Sequence, residues 1–210
     1  MGTLGGLERV LSQARGYEHP RIDLEQYPTP AELAARLVHH AALRGDITDR
    51  IVVDLGSGPG VLAIGCAFRS PAQIIGIEID PAAIAISREN VDRLDPPDRI
   101  EWIHGDALTP PLRPASIDTI LMNPPFGAQR ENVHADRAFL ERAAELASVS
   151  YSFHNAGSRQ FIDAFVTDRG GTVTEAFAAT FDLARQYTFH DADVVEIDVE
   201  CYRIEWRETN

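Results

Sequence analysis

Short apolar runs and helically spaced segments alternate along most of this chain. From Ile51 onward, apolar runs of strand length are followed by turns and segments with helical spacing, a pattern typical of βαβ units and a parallel sheet. Five strands are predicted in this region, at residues 51–53, 74–79, 100–103, 117–122 and 149–153. Helices are predicted at about 61–69, 138–147 and 158–168, and another is predicted to begin at Asp80-Pro81.

The two ends of the chain differ from this alternation. Two long strand-like segments, about 172–183 and 194–206, follow one another without a convincing helix between them and predict a β-hairpin. Residues 1–28 read as an N-terminal extension, in which Leu4, Leu7 and Leu11 have helical spacing. The sequence therefore predicts an α/β fold with a helical N-terminal extension and a seven-stranded, mostly parallel sheet that ends in a β-hairpin.

A further helix is predicted to begin at Thr29-Pro30-Ala31-Glu32. Thr29 would be its N-cap, Pro30 would occupy the first turn, and Glu32 follows three residues after the cap as in a capping box. Leu33 and Leu37 would then share one face of this helix.

Length and composition indicate one domain. The 210 residues are 44% hydrophobic, and no linker or repeat divides them, so a single domain over residues 1–210 is predicted. No apolar run approaches the roughly 20 residues that cross a bilayer, and no signal pattern is present, so a cytoplasmic protein without membrane contact is expected. Cys66 and Cys201 are too few for a four-thiolate zinc site, and no metal is expected.

The charge balance points to an unusual environment. Asp and Glu number 32 against 19 Lys and Arg, a net charge of -13, and all of the basic residues are arginine. Such acidity would ordinarily disfavour nucleic-acid partners, because phosphate contacts need cations. At about 1 M salt the Debye length falls to roughly 3 Å, so long-range repulsion is screened. A halophilic source is therefore expected, and equal folding and activity in dilute buffer and in molar KCl would contradict it.

A glycine-rich turn follows the first predicted strand, at a position where open α/β sheets bind ligands. It reads Asp54-Leu55-Gly56-Ser57-Gly58-Pro59-Gly60. The dinucleotide fingerprint requires a third glycine where Val61 stands, and a P-loop requires a lysine, which the chain lacks. The turn instead offers close backbone approach beside an acid, Asp54, which suits a ligand with a positively charged amino-acid end.

Two more acids follow the next two strands. Glu78 is placed to accept hydrogen bonds from both hydroxyls of a ribose, and Asp106 is placed to accept one from the exocyclic amine of an adenine. One acid after each of the first three strands, around a Gly-x-Gly-x-Gly turn, resembles the Rossmann-like class I methyltransferases. That resemblance implies S-adenosyl-L-methionine as the cofactor.

The stretch Asn123-Pro124-Pro125-Phe126 follows the fourth predicted strand. Its prolines fix a rigid turn, so the Asn123 amide and the Pro124 carbonyl can both accept hydrogen bonds from a planar amine whose nitrogen faces the methyl group. Phe126 offers a face on which a base can stack. The stretch resembles the hallmark of methyltransferases that act on exocyclic or amide nitrogens, and these four residues are the predicted catalytic site.

Longer stretches resemble one family, the methyltransferase-like protein five group, which makes N(6)-methyladenosine in small-subunit ribosomal RNA. The matching stretches are Leu24-Glu25-Gln26-Tyr27-Pro28-Thr29, Asp54-Leu55-Gly56, Met122-Asn123-Pro124-Pro125-Phe126-Gly127, Ala138-Phe139-Leu140, Tyr151-Ser152-Phe153-His154, Tyr187-Thr188-Phe189-His190 and Val195-Glu196-Ile197-Asp198-Val199. The resemblance implies a catalytic Asn-Pro-Pro-Phe site. The cofactor-binding residues are then Gln26, Thr29, Asp54, Gly56, Gly58, Glu78, Asp106 and Ala107.

The same resemblance implies a partner. The family works with a small zinc-binding activator subunit that adds a strand to the sheet edge formed by the third strand, which here runs from Ile100 to Ile103. A heterodimer is therefore expected, and a monodisperse, stable and fully active isolated chain would disprove it. The alternative for this strand is that Ile100 and Trp102 pack inward against a helix.

The chain departs from the family after its last Phe-His pair. Eukaryotic relatives carry a basic cluster there, whereas this chain has Asp191-Ala192-Asp193, so direct transfer of their RNA-backbone contacts is in doubt. The remaining candidates for RNA contact are Arg130, His134, Arg137, His154, Arg159 and His190. Two alternatives to adenosine methylation stay open: glutamine methylation of a translation release factor, and a catalytically silent role in ribosome assembly.

Overall fold

A computed structural model describes residues 2–125, 135–184 and 194–206. The strands are β1 (Ile51–Leu55), β2 (Gln73–Glu78), β3 (Ile100–His104), β4 (Ile117–Met122), β5 (Ala147–Asn155), β6 (Thr172–Ala184) and β7 (Val194–Glu205). The helices are α1 (Leu4–Leu11), α2 (Ala31–Leu43), α3 (Val61–Ala67), α4 (Pro81–Leu94), α5 (Ala135–Leu146) and α6 (Arg159–Asp168). The predicted alternation of strands and helices and the helical N-terminal extension are confirmed.

All seven strands form one sheet in the order β3-β2-β1-β4-β5-β7-β6. The first five strands pair in parallel, and β7 runs antiparallel to both β5 and β6. The mostly parallel sheet with a terminal hairpin is therefore confirmed. Because β1 to β5 point the same way, their carboxyl ends share one edge of the sheet, where open α/β folds place their ligands.

A hydrophobic core lies on each face of the sheet. On one face, α1, α2 and α3 bury side chains that include Leu7, Leu11 and Ile64, so α1 packs onto the same core as α2 and α3. On the other face, α5 and α6 bury Phe139 and Ile162 with their neighbours. Burying such a side chain fully contributes about 1.5–3 kcal/mol. None of the described helices combines the length and apolar composition needed to span a membrane.

The start of α2 differs from the prediction. The N-cap is Pro30, with φ -57° and ψ 143°, and it makes no side-chain capping bond; the predicted capping box at Thr29 is wrong. The Thr29 hydroxyl instead accepts a hydrogen bond of 3.0 Å from the Asn123 side-chain amide. The predicted cap at α4 is confirmed, because the Asp80 carboxylate accepts a 2.9 Å hydrogen bond from the Ala82 N–H.

Strand β3 forms one edge of the sheet, as predicted. Its Trp102 indole packs inward over the glycine turn and β2, where a Cβ on Gly60 or Gly76 would collide with it. Ile100 is buried as well. The inward packing considered for these two side chains is therefore observed, and it coexists with an edge position for the strand itself.

Candidate active site

A pocket of about 190 Å³ opens where the parallel strands end. The predicted site residues that line it are Gln26, Thr29, Asp54, Gly56, Gly58, Glu78, Asp106, Ala107, Asn123 and Pro125. Pro124 is buried and does not belong to the lining. Phe126 lies outside the described residues. The fold thus brings together residues that are up to 99 positions apart in the sequence, 26 to 125.

The glycine turn between β1 and α3 depends on its glycines. Gly56, Gly58 and Gly60 have φ values of 70°, 52° and 85°, a region that other residues rarely adopt. A Cβ on Gly58 would also collide with the hydroxyl of Tyr17. The Ser87 hydroxyl donates a 2.8 Å hydrogen bond to the Gly58 carbonyl, which holds the turn against α4. The turn therefore presents its backbone to the pocket in a fixed conformation.

Asp54 stands at the end of β1 and is only 1% exposed. Its carboxylate accepts a 3.0 Å hydrogen bond from the Ala63 N–H, at the start of α3. Burial raises the pKa of Asp54 to about 7, although this hydrogen bond opposes the shift. A carboxyl group with such a pKa is poised to ionise fully when a cationic ligand arrives.

Glu78 at the end of β2 is held in a single orientation. Its two oxygens accept hydrogen bonds from the N–H groups of Gly58 at 2.7 Å and Asp80 at 2.9 Å. Burial raises the pKa of Glu78, and these two bonds oppose the shift. Each carboxylate oxygen has a second lone pair, so the group can still accept from ribose hydroxyls.

Asp106 and Ala107 follow β3. The Asp106 carboxylate is exposed and accepts a 2.8 Å hydrogen bond from the Leu108 N–H, whereas Ala107 is buried. Ile79, Ala107 and Leu108 add apolar surface to the pocket lining. This combination suits the edge and the face of a purine.

Residues 15–29, which we call the strap, form the remaining wall. The Arg15 backbone exchanges hydrogen bonds of 2.7 and 2.9 Å with the buried Asn90 side chain on α4. The Gln26 amide donates a 2.7 Å hydrogen bond to the Asp80 carboxylate. The strap is therefore fastened to the same helix that braces the glycine turn.

Several strap residues line the pocket without having been predicted. They are Tyr17, Leu24, Glu25, Tyr27 and Pro28. Burial raises the pKa of the Tyr27 phenol, and the nearby Glu25 charge adds to the shift. The only sequence signal for this wall was the Gln26 and Thr29 positions of the family resemblance, and nothing marked Tyr17.

Asn123 follows β4 and is oriented by the strap. Its Nδ2 donates a 3.0 Å hydrogen bond to the Thr29 hydroxyl. Its Oδ1 is buried and has no hydrogen-bond partner among the described residues. Leaving a buried acceptor unpaired costs about 1–3 kcal/mol, so this oxygen is prepared to accept a hydrogen bond from a ligand.

The charges that line the pocket are all negative. Glu25, Asp54, Glu78 and Asp106 contribute carboxyl groups, and no arginine or histidine of the described residues contributes to the lining. The described residues also contain no group of three or more His, Cys, Asp or Glu that could hold a metal ion. The pocket is therefore suited to an organic cation with hydroxyl groups rather than to a phosphate.

The candidates for RNA contact are only partly available. Arg137 and Arg159 are exposed and pair with Glu141 at 3.3 Å and Asp163 at 2.7 Å. His154 is 2% exposed, so the described structure does not offer it to RNA. Arg130, His134 and His190 lie outside the described residues, as does the acidic loop at 191–193.

Comparison with known proteins gives consistent matches over the whole chain. A family model, the methyltransferase small domain, matches residues 33–149. The chain is 34% identical to the rRNA N(6)-adenosine-methyltransferase Mettl5 of Drosophila melanogaster, over 95% of this chain and 94% of that one. It is 35% identical to METTL5 of Danio rerio, over 94% and 96%. A crystal structure from Pyrococcus horikoshii, of a protein assigned as an RNA methyltransferase, matches with TM-score 0.88 and 35% identity over 98% of both chains.

Proposed function

Because this chain belongs to the methyltransferase small domain family and to the family of the Mettl5 rRNA N(6)-adenosine-methyltransferases, we propose that it methylates the exocyclic amine of an adenosine in small-subunit ribosomal RNA. Glutamine methylation of a release factor is not favoured, since these relatives, which match nearly the whole chain, are named for adenosine. A catalytically silent role in ribosome assembly is disfavoured, because the predicted acidic residues and Asn123 all line the pocket.

The proposed cofactor is S-adenosyl-L-methionine, which supplies an electrophilic methyl group on a sulfonium ion. The fit is supported by the carboxyl groups of Asp54, Glu78 and Asp106 in the pocket lining and by the open backbone of the glycine turn. Asp54 would face the ammonium group and Glu78 the ribose hydroxyls. Asp106 and Ala107 would meet the adenine, and Gln26 and Thr29 would cover the cofactor from the strap.

Asn123 carries the proposal, because its buried Oδ1 accepts nothing from the described residues while its Nδ2 is fixed by Thr29. The target amine would donate one N–H to Asn123 Oδ1 and the other to the Pro124 carbonyl. Its nitrogen lone pair would then face the methyl group, and the two oxygens would stabilise the positive charge that develops on nitrogen. The extra proton leaves to water. Phe126 would provide the stacking surface for the base.

The test is methyl transfer from labelled S-adenosyl-L-methionine to unmodified small-subunit RNA, with the product digested and identified as N(6)-methyladenosine. Asn123→Ala should lower the rate by about 10²–10³-fold, since it removes a positioned acceptor, while cofactor affinity stays within about threefold. Asn155→Ala, at the exposed end of β5, is the matched control and should retain full activity. Retained activity in Asn123→Ala, or label in a release-factor glutamine instead of RNA, would contradict the proposal.

The proposal includes the zinc-binding activator subunit of the family, paired with β3. It is supported by the position of β3 at the edge of the sheet. With Ile100 and Trp102 packed inward, the partner would pair with the backbone of the strand rather than with these side chains. An isolated chain that is monodisperse, stable and fully active would show that the partner is unnecessary.

A further inference from the structure

Asn90 is a fully buried amide on α4 that bonds both to the strap and to the glycine turn. Its Oδ1 accepts a 2.7 Å hydrogen bond from the Arg15 N–H, and its Nδ2 donates a 2.9 Å hydrogen bond to the Arg15 carbonyl. The same Nδ2 donates a 3.0 Å hydrogen bond to the carbonyl of Pro59, in the glycine turn. One side chain therefore holds the beginning of the strap and the glycine turn together.

This set of bonds requires an amide at position 90. An Asn side chain carries two N–H donors and one carbonyl acceptor, and here the donors serve two backbone carbonyls while the acceptor serves one backbone N–H. An ionised carboxylate of the same shape has no donor for the carbonyls, and an aliphatic side chain would leave all three backbone groups without this partner. The contact is therefore specific for two segments that lie 75 and 31 residues away along the chain.

The two segments that Asn90 joins meet in the pocket lining. Tyr17, two residues after Arg15, lies so close to Gly58 that a Cβ on this glycine would collide with the Tyr17 hydroxyl, and both residues line the pocket. The later part of the strap is bonded to the start of the same helix, because the Gln26 amide donates a 2.7 Å hydrogen bond to the Asp80 carboxylate. Asn90 thus provides the first of two attachment points that hold the strap on α4.

We propose that Asn90 is a positioning residue for cofactor binding, because it keeps the strap closed against the glycine turn before the ligand arrives. This inference rests on the proposed function. With the strap already closed, binding of the ligand does not have to order residues 15–17. Without Asn90 that ordering accompanies binding, so the affinity for the cofactor falls although the ligand-bound structure stays the same.

The methyl-transfer step should depend on Asn90 much less than binding does. Thr29, which fixes the Asn123 amide, belongs to the other end of the strap. A bound cofactor that touches Tyr17 and Gly58 also holds the two walls together in the absence of Asn90. The loss should therefore appear in the KM for S-adenosyl-L-methionine, while kcat at saturating cofactor is retained. A residue that only stabilises the core would lower the melting temperature without separating these two constants.

The experiment combines calorimetry with S-adenosyl-L-methionine and S-adenosylhomocysteine, methyl-transfer kinetics and deuterium exchange. The variants are Asn90→Ala and Asn90→Asp, which keeps the shape of the side chain but offers no donor when ionised. Both should weaken binding of the two ligands by on the order of tenfold, raise the KM for S-adenosyl-L-methionine to a similar extent and change kcat by less than about twofold. Without ligand, amide exchange at residues 15–17 should be about tenfold faster than in wild type.

Ser87→Ala is the matched comparison. Ser87 is equally buried, three residues earlier on α4, and its hydroxyl bonds to the Gly58 and Ala83 carbonyls rather than to the strap. This variant loses a bond to the glycine turn alone, so amide exchange at residues 15–17 should stay within about twofold of wild type.

Wild-type affinities in both Asn90 variants, or equal strap exchange in Asn90→Ala and Ser87→Ala, would overturn the inference. Loss of the fold in both Asn90 variants would also overturn it, since Asn90 would then be needed for the core rather than for the pocket. The proposed function fails separately, if the wild-type protein binds neither ligand or transfers no methyl group to RNA. If wild type does both and the Asn90 variants match it, only the role of Asn90 is wrong.

Discussion

Asp46 and Asp54 are both buried aspartates, but they differ in whether neighbouring residues compensate their negative charge. Asp46, just after α2, accepts hydrogen bonds from Arg203 at 2.8 and 3.1 Å and from the Tyr151 hydroxyl at 2.5 Å. Asp54 accepts one backbone bond from Ala63 and lines a pocket whose described residues include no cation. The first charge is compensated within the fold, and the second is left for a ligand to compensate.

The titration of each region follows from this difference. Burial raises the pKa of Tyr151, and its hydrogen bond to Asp46 adds to the shift. Burial lowers the pKa of Arg203, but hydrogen bonds to Asp46 and Glu205 raise it above its ordinary value overall. Both groups therefore keep their protons at any ordinary pH, whereas burial brings the pKa of Asp54 to about 7. Proton exchange near neutral pH is thus expected at Asp54 in the pocket rather than at Tyr151 or Arg203.

The largest expected effect would break the paired region. Asp46→Ala leaves Arg203 buried at 6% exposure without its main partner, which should cost about 3–5 kcal/mol of unfolding free energy. Urea unfolding measures this loss. Asp163→Ala, which breaks the exposed pair with Arg159, is the control and should cost less than about 1 kcal/mol. A cost as small as the control's for Asp46→Ala would remove the distinction between the two regions.

The second prediction is a substitution that increases the free energy of unfolding. Since the folded pKa of Asp54 lies above the unfolded value, the folded state holds an extra proton from about pH 4 to about pH 7, and stability falls as pH rises through that window. Asp54→Asn removes this loss, so above pH 7 the ligand-free variant should be about 1–3 kcal/mol more stable than wild type. Urea unfolding at pH 5 and pH 8 checks the sign, and a destabilised variant at pH 8 would contradict it.

The same change should harm binding. The affinity of wild type for S-adenosyl-L-methionine should rise as pH increases toward 7, because the ionised Asp54 carboxylate then meets the cationic end of the ligand. Asp54→Asn should bind at least about tenfold more weakly at pH 7 and show a flat profile between pH 5.5 and 7. Calorimetric titration across this range provides the measurement. A pH-dependent affinity in the variant would assign the titration to another group.

The smallest effect concerns the neutral part of the pocket. Thr29→Val removes the hydroxyl that fixes the Asn123 amide, so methyl transfer should fall by about three- to tenfold while cofactor affinity changes less, as expected for a lost hydrogen bond of about 1 kcal/mol. Thr48→Val is the matched control, because the Thr48 hydroxyl donates a similar 3.0 Å bond to the Arg69 carbonyl and neither residue lines the pocket. Equal rates of methyl transfer in Thr29→Val and Thr48→Val would show that the Thr29 hydroxyl does not position Asn123.

Sequence patterns predicted those structural features that depend on residues close together in the chain. The strands, the Asp80 cap and the glycine turn follow from periodicity and local residue chemistry, and they are present as predicted. Thr29 shows the limit of this approach. Its sequence context matched a helix cap, but its hydroxyl instead accepts a hydrogen bond from the side chain of Asn123, 94 residues away.

The strap shows the same limit on a larger scale. Treated as an N-terminal extension, residues 1–28 gave no reason to place Tyr17 or Glu25 in the pocket. The positive φ of Glu25 and the contact of Tyr17 with Gly58 arise only when the strap folds onto distant elements. No local sequence pattern predicts such contacts, because neither of the two contacting residues differs from its sequence neighbours in a way that points to the other.

The hydrogen bonds that hold the strap also determine when it folds relative to the sheet. Its hydrogen bonds to Asp80, Asn90 and Asn123 span 54, 75 and 94 residues of chain. During synthesis this segment leaves the ribosome before the residues it docks onto, and its last partner, Asn123, emerges only after β4. Contacts of such long separation form late in folding. Its amide hydrogens should therefore exchange with solvent sooner than those of β1, by local opening that leaves the sheet intact. A bound ligand that touches both walls would slow that exchange, so deuterium uptake at residues 15–29 reports occupancy of the pocket directly.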